Sequence, residues 1–299
     1  MRRLLLLMSA VLAAPLSSQS SAQSSAQSSG NGLRDDPLVE VLSGNDALAN
    51  GAPWQAQIFS NFTGWTEDEL DQRDEWDLAH RCGGSLIAPH WVLTAAHCID
   101  QAKVDKGYRV RLGAVSIGDD DGATYRIDRM VRHAAYDKPN HLNDIALVHF
   151  IADDQTVADD SGPVAQVPLY DGEPLGDGVA VTATGWGKLA AGTGQSFQAE
   201  LSRVDIATAD CANFPAYEGR TTANMMCATA PGQDTCQGDS GGPLVLSTGT
   251  PVQVGIVNWG DGCNDPERPG VYLRIDRDHN LDWIRRAMAL DPSRNSLGD

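Results

Sequence analysis

Ser240 lies within Cys236-Gln237-Gly238-Asp239-Ser240-Gly241-Gly242-Pro243, a stretch too rich in glycine for the middle of a helix or strand. A serine hydroxyl attacks a carbonyl only when a base takes its proton and donors hold the oxyanion that forms. Gly238 offers a backbone N–H with no side chain to block a substrate, and Ser240 offers its own. Gly, Asp and Ser are also ordinary turn residues, so the chemistry rests on whether the chain supplies a base. Of seven histidines, His97 has the most suitable setting, in Trp91-Val92-Leu93-Thr94-Ala95-Ala96-His97-Cys98. An orienting carboxylate is available in Asp144, which enters the apolar run Ile145-Ala146-Leu147-Val148. Burying a carboxylate there is costly unless it is paired, and an imidazole N–H would be its partner.

These groups need rigid supports. The run before His97 reads as a short strand ending in a turn, and the run after Asp144 as a second strand. Further strand-like runs are Ser85–Leu93, Arg109–Leu112, Ile145–Phe150, Val179–Thr184, Pro243–Leu246 and Val252–Trp259, separated by Gly-, Asp- and Pro-rich stretches. Only Asn280–Leu290 has helical spacing, with Leu281, Ile284 and Met288 on one face. The pattern predicts an all-β fold with a C-terminal α-helix.

Ala95-Ala96-His97-Cys98, Asp144-Ile145-Ala146-Leu147 and Gly238-Asp239-Ser240-Gly241-Gly242-Pro243, in the order His, Asp, Ser, resemble the trypsin/chymotrypsin-like serine proteases. Cys82-Gly83-Gly84-Ser85-Leu86-Ile87, Gly185-Trp186-Gly187, Trp259-Gly260, Pro269-Gly270-Val271-Tyr272, Pro53-Trp54-Gln55 and Asp282-Trp283-Ile284 extend the resemblance over roughly residues 41–290. The resemblance implies two packed six-stranded antiparallel β-barrels, with His97 and Asp144 from the first and Ser240 from the second. Ser240 would be the nucleophile, His97 the base, Asp144 its orienting group, and the Gly238 and Ser240 N–H groups the oxyanion hole. The resemblance also pairs Cys82–Cys98, Cys211–Cys227 and Cys236–Cys263, where six cysteines alone would allow 15 pairings.

The family resemblance places Asp234, six residues before Ser240, at the floor of the specificity pocket, with Gly260 and Gly270 in its walls. A carboxylate in a slot favours guanidinium or ammonium groups, so cleavage after Arg or Lys is expected. Trp259 and the backbone beside it would pair with an extended substrate. Asn258 replaces the family's usual serine before Trp259, and its amide could bond the catalytic aspartate in altered geometry. Val41-Leu42-Ser43-Gly44 falls in register with the family's mature start, so the Val41 amine would pair with Asp239 after activation. Glu40 precedes it. The activating cut would then need a Glu-preferring protease or trimming after a cut at Arg34, unless the uncut chain is active by another route.

Met1-Arg2-Arg3 followed by Leu4-Leu5-Leu6-Leu7-Met8 reads as a secretory signal over 1–22, with cleavage after Ala22 or Ala14. A Ser/Gln-rich linker and candidate propeptide fills 23–40, the protease domain 41–290 and a tail 291–299. Paired cysteines fit an oxidising, extracellular or periplasmic destination. A net charge of −18 argues against nucleic acid as a partner and favours cationic protein or peptide substrates. The insertion carrying Glu67, Asp68, Glu69, Asp71, Asp74, Glu75 and Asp77 is expected to be a solvated face, or alternatively an exosite for basic partners. Asp119-Asp120-Asp121-Gly122 falls near a calcium loop of some relatives, but Ala114 stands where a carboxylate is needed. No metal, cofactor or membrane span is predicted. Two other functions compete. One is a catalytically weak homologue acting as a binding module, against which all three triad residues are present. The other is an esterase, which would show a Ser, Asp, His order.

Overall fold

The computed structural model describes residues 40–41, 51–61, 63–119, 121–152, 164–192, 196–290 and 296–297. The signal expected over 1–22, the linker up to residue 39 and most of the 291–299 tail lie outside the described residues. Contacts divide the chain into two units, Met1–Asp36 and Pro37–Asp299, and every described residue belongs to the second.

Two sheets close on themselves. The second opens in sequence with β1 (Glu40–Val41), and the first contains β2 (Gln55–Phe59), β3 (His80–Ala88), β4 (Trp91–Thr94), β5 (Arg109–Leu112), β6 (Ala123–His133) and β7 (Ala146–Ile151). The first runs β6-β5-β2-β3-β4-β7 and closes by β6–β7 pairing. The second comprises β8 (Ala180–Gly185), β9 (Ser202–Ala209), β10 (Met225–Thr229), β11 (Pro243–Leu246), β12 (Gln253–Trp259) and β13 (Gly270–Arg274). It runs β9-β10-β13-β12-β11-β8 and closes by β8–β9 pairing. The result is two six-stranded antiparallel barrels, with β1 added to β9 and β14 (Ser296–Leu297) added in parallel to β6.

Burial alternates with period two in β6, whereas β2 and β12 are buried along almost their whole length. In β6, Tyr125 and Ile127 point inward while Thr124, Arg126 and Asp128 face solvent. The run Ser85–Leu93, expected as one strand, is instead a hairpin of β3 and β4 across Pro89–His90. Pro89 has no N–H for a ladder and His90 adopts φ 66°, so the chain turns there. The C-terminal helix is Leu281–Met288, shorter than the expected span because Asn280 sits at its N-cap with φ 63°. Its Leu281, Trp283, Ile284 and Ala287 are buried against the first-barrel core of Leu86, Leu93, Leu147 and Phe150. Leu281 and Ile284 each contribute about 1.5–3 kcal/mol of burial. A second cluster around Trp54, Val115, Ile117, Trp186 and Leu201 joins the barrels, and Trp186 Nε1 donates to the Val115 carbonyl at 3.0 Å.

The six cysteines form the three bridges expected: Cys82–Cys98, Cys211–Cys227 and Cys236–Cys263. The acidic insertion folds into two short helices, Glu67–Leu70 and Glu75–Ala79. Its Glu67, Asp68, Glu69, Asp71, Asp74 and Glu75 are exposed, as a solvated face requires, but Asp77 is buried.

Candidate active site

Strand register delivers the imidazole and its carboxylate to one place. β4 and β7 pair Thr94 with Ala146, so His97, just beyond β4, and Asp144, just before β7, leave the first barrel at the same edge. Asp144 is fully buried. Its Oδ2 accepts from His97 Nδ1 at 2.7 Å and its Oδ1 from the His97 backbone N–H at 2.8 Å. With Nδ1–H donated to the carboxylate, the neutral imidazole carries its lone pair on Nε2. The turn holding His97 is fixed from behind by the Cys82–Cys98 bridge and by Lys103 Nζ, which donates to the His97 carbonyl at 2.8 Å.

Ser240 is positioned by the backbone of both barrels. Its carbonyl accepts from Gly83 N–H of β3 at 2.9 Å. The next residue's N–H, that of Gly241, donates to the Val257 carbonyl of β12 at 2.8 Å. Gly241 adopts φ 81°, and a Cβ there would collide with Thr94 Oγ1. Gly238 adopts φ 102°, and a Cβ would lie 2.7 Å from Phe197 Cε1. Ser240 and His97 line a common cleft of about 330 Å³, together with His141, Asn258, Trp259 and Gly260.

Asp234 does not line that cleft. It shares a smaller cavity of about 40 Å³ with Asp239. Asp234 Oδ1 accepts from the N–H groups of Thr235 at 2.8 Å and Gly270 at 3.1 Å. The Asp239 carboxylate accepts from Gly187 N–H at 2.8 Å and Cys236 N–H at 2.9 Å. Both retain some surface along the cavity wall, yet protein surrounds them. Burial pushes Asp234 up to about 7, against the pull of backbone donors, with the Asp239 charge adding to the rise. Burial likewise pushes Asp239 up to about 6. The cations on the wall bond elsewhere: Lys188 Nζ to the Gly192 carbonyl at 3.4 Å, and Arg203 to the Asp205 carboxylate at 2.8 Å.

A family model described as Trypsin matches residues 41–284. The chain belongs to the trypsin family. Mouse tryptase is 32% identical over 263 residues, covering 84% of this chain and 89% of the relative. Human kallikrein-15 is 33% identical over 266 residues, covering 83% and 91%. The solved structure of neuropsin, a serine protease expressed in the limbic system of mouse brain, aligns with a TM-score of 0.62 and 33% identity, covering 79% of this chain and 94% of its own. Like these relatives, the chain is a trypsin-like serine endopeptidase. No helix among the described residues is long and apolar enough to cross a membrane.

Within this trypsin-family site, Asn258 departs from expectation. It is buried, and among the described residues neither amide atom has a hydrogen-bond partner, so it does not bond Asp144. Three neighbours escaped the sequence reading. His80, fully enclosed, stands behind Gly238: its Nε2–H donates to the Gly238 carbonyl at 3.0 Å, while Nδ1 accepts from Gln57 Nε2 at 3.2 Å. Burial lowers His80 to about 4 and keeps it neutral. Phe197 packs edge-on against His80, with ring centroids 4.7 Å apart. His141 stacks on Trp259 at 5.2 Å in the cleft. Their pairing partners are remote in sequence and no local motif announces them.

Proposed function

We propose that the chain is an exported endopeptidase that cuts after Arg or Lys through a covalent acyl-enzyme. The observation that carries this reading is the buried Asp144 carboxylate holding His97 Nδ1 in the cleft that also contains Ser240. His97 Nε2 takes the Ser240 proton as Oγ attacks the scissile carbonyl. The Gly238 and Ser240 N–H groups hold the oxyanion. The imidazolium then protonates the leaving amine, and water releases the acyl group by the reverse sequence. The Asp234 carboxylate supplies the preference for a cationic side chain, and the net negative charge favours cationic substrates in general. A peptide-library cleavage profile tests this: Arg and Lys should lead before the scissile bond, and a profile led by aromatic or acidic residues would overturn it.

Activation follows from the cavity. In the uncut chain, β1 pairs Val41 with Ser202, and Ser202 in turn pairs with Gly185 beside the Asp239 carboxylate. Both Ser202 and Gly185 line the cavity. A cut between Glu40 and Val41 would free an amine at the cavity's rim, where no cation among the described residues bonds Asp239. Seating the ammonium there would pair it with the Asp239 carboxylate and turn Asp234 toward the cleft. A protease specific for Arg or Lys would not cut after Glu40, so the activating cut comes from another enzyme or by trimming. N-terminal sequencing of the active product should begin at Val41. Full activity with an N-terminus upstream of Glu40 would contradict this route.

The same pair predicts a pH signature. Their folded pKa values are raised, so their contribution to stability is full below the unfolded value, about 4, and is lost as pH rises through 6 and 7. An ammonium beside Asp239 would lower its pKa and remove that loss. The melting-temperature advantage of the mature form over the uncut chain should therefore be largest near pH 8 and shrink towards pH 5.5. Taking the difference cancels His80, which opposes the trend in both forms below about 6.5. A difference that does not vary with pH would count against the pairing.

A further inference from the structure

We propose that Asp77 and Arg73 of the acidic insertion form a latch that positions the oxyanion-binding peptide at Gly238, acting through Phe197. The inference rests on the reading of Gly238 as an oxyanion donor.

Asp77 is the insertion's one carboxylate that is only 1% exposed. Arg73 grips it with both arms: Nε donates to Oδ2 at 2.6 Å and Nη2 to Oδ1 at 2.9 Å, with a further bond from Nη2 to the Asp77 carbonyl at 3.0 Å. A buried carboxylate so paired has a fixed position, since removing either partner strands the other. That carboxylate then reaches out of the insertion. Asp77 Oδ1 accepts from the Phe197 N–H at 2.8 Å, across 120 residues of sequence.

Phe197 is thus held by its main chain, and its ring has little freedom. The Arg73 guanidinium lies 5.5 Å from the ring centroid and Lys188 Nζ 5.7 Å. The ring's edge meets His80, whose Nε2–H holds the Gly238 carbonyl. The ring also fills the space where a Gly238 side chain would be, with Cε1 and Cδ1 at 2.7 and 2.8 Å from that position. The Gly238 peptide is therefore clamped between its carbonyl's bond to His80 and the Phe197 ring. Gly238 at φ 102° has no side chain of its own to resist rotation. An oxyanion donor is effective only if its direction is fixed before the charge develops. Trp76, beside Asp77, packs against the inter-barrel cluster, so the insertion is anchored at the latch. Asp77 and Arg73 are positioning residues that touch no substrate.

The test uses mature full-length enzyme and Asp77→Asn, which keeps shape but loses the charge gripped by Arg73. Steady-state hydrolysis of an Arg-peptide amide should show kcat lowered about tenfold to a hundredfold, the scale for a donor displaced by a fraction of an ångström to one ångström, with KM within about twofold. Affinity for an Arg-peptide aldehyde, whose hemiacetal oxygen needs the Gly238 donor, should fall by the same factor. Affinity for benzamidine, which needs only the pocket, should stay within about twofold. Asp77→Glu should restore part of kcat. If Asp77→Asn does not fold, Phe197→Leu, which spares the ion pair but removes the flat ring, is read in the same way. Unchanged kcat in a folded variant, or parallel losses of aldehyde and benzamidine affinity, would overturn the latch. Failure of the wild type to hydrolyse the amide would instead refute the oxyanion reading on which it rests.

Discussion

Ser240→Ala should lower kcat/KM for peptide hydrolysis by roughly 10⁴–10⁶-fold while leaving the fold and KM nearly unchanged. The local structure depends on Ser240's main chain, through the Gly83 N–H bond to its carbonyl. The His97–Asp144 pair is self-contained, since both carboxylate oxygens are bonded within it. Losing the hydroxyl therefore removes the attacking atom and little else. The residual rate comes from binding and the oxyanion donors. Initial-rate kinetics with matched melting curves check it, and near-normal hydrolysis by the folded variant would refute the nucleophile's assignment.

Asp234→Ser should reduce kcat/KM for Arg and Lys substrates by about 10²–10⁴-fold, the scale of stranding one charge of a desolvated pair at about 3–5 kcal/mol. Phe and Leu substrates should change little. The serine hydroxyl can still accept from Thr235 or Gly270, whose N–H groups bond Asp234 Oδ1, so the pocket wall should survive. Comparing kcat/KM across an Arg, Lys, Phe and Leu series separates loss of specificity from loss of activity. Equal losses across the series would show that Asp234 supports the wall and does not read the substrate.

His97, Asp144 and Ser240 stood out as candidates because each lies in a short motif with its own chemical oddity: a histidine at a strand end, a carboxylate entering an apolar run, a serine among glycines. The meeting of His97 and Asp144 follows from β4–β7 register, which periodicity suggests but only pairing fixes. The two barrels came from resemblance more than from period, since β2, β6, β9, β10 and β13 were not among the strand-like runs, and the β3–β4 hairpin read as one strand despite Pro89. Asp77 was hidden in a charge run whose other members face solvent. Its burial depends on Arg73 and on Phe197, 120 residues away. His80 likewise bonds Gly238 across 158 residues. Such long-range pairing of polar groups carries no local signature. Asp234 illustrates a different limit. Its position in sequence was read from the family, but its orientation beside Asp239 and away from the cleft is set by the Thr235 and Gly270 N–H groups it accepts from.

Mapping the adduct of a fluorophosphonate by mass spectrometry of the mature protein tests the mechanism most directly, because the reagent bonds only to an oxygen activated by a base beside oxyanion donors. One stoichiometric adduct is expected, on the peptide containing Ser240, and His97→Ala should abolish it. An adduct on another residue of an active preparation, or full peptidase activity with Ser240 unlabelled, would contradict it.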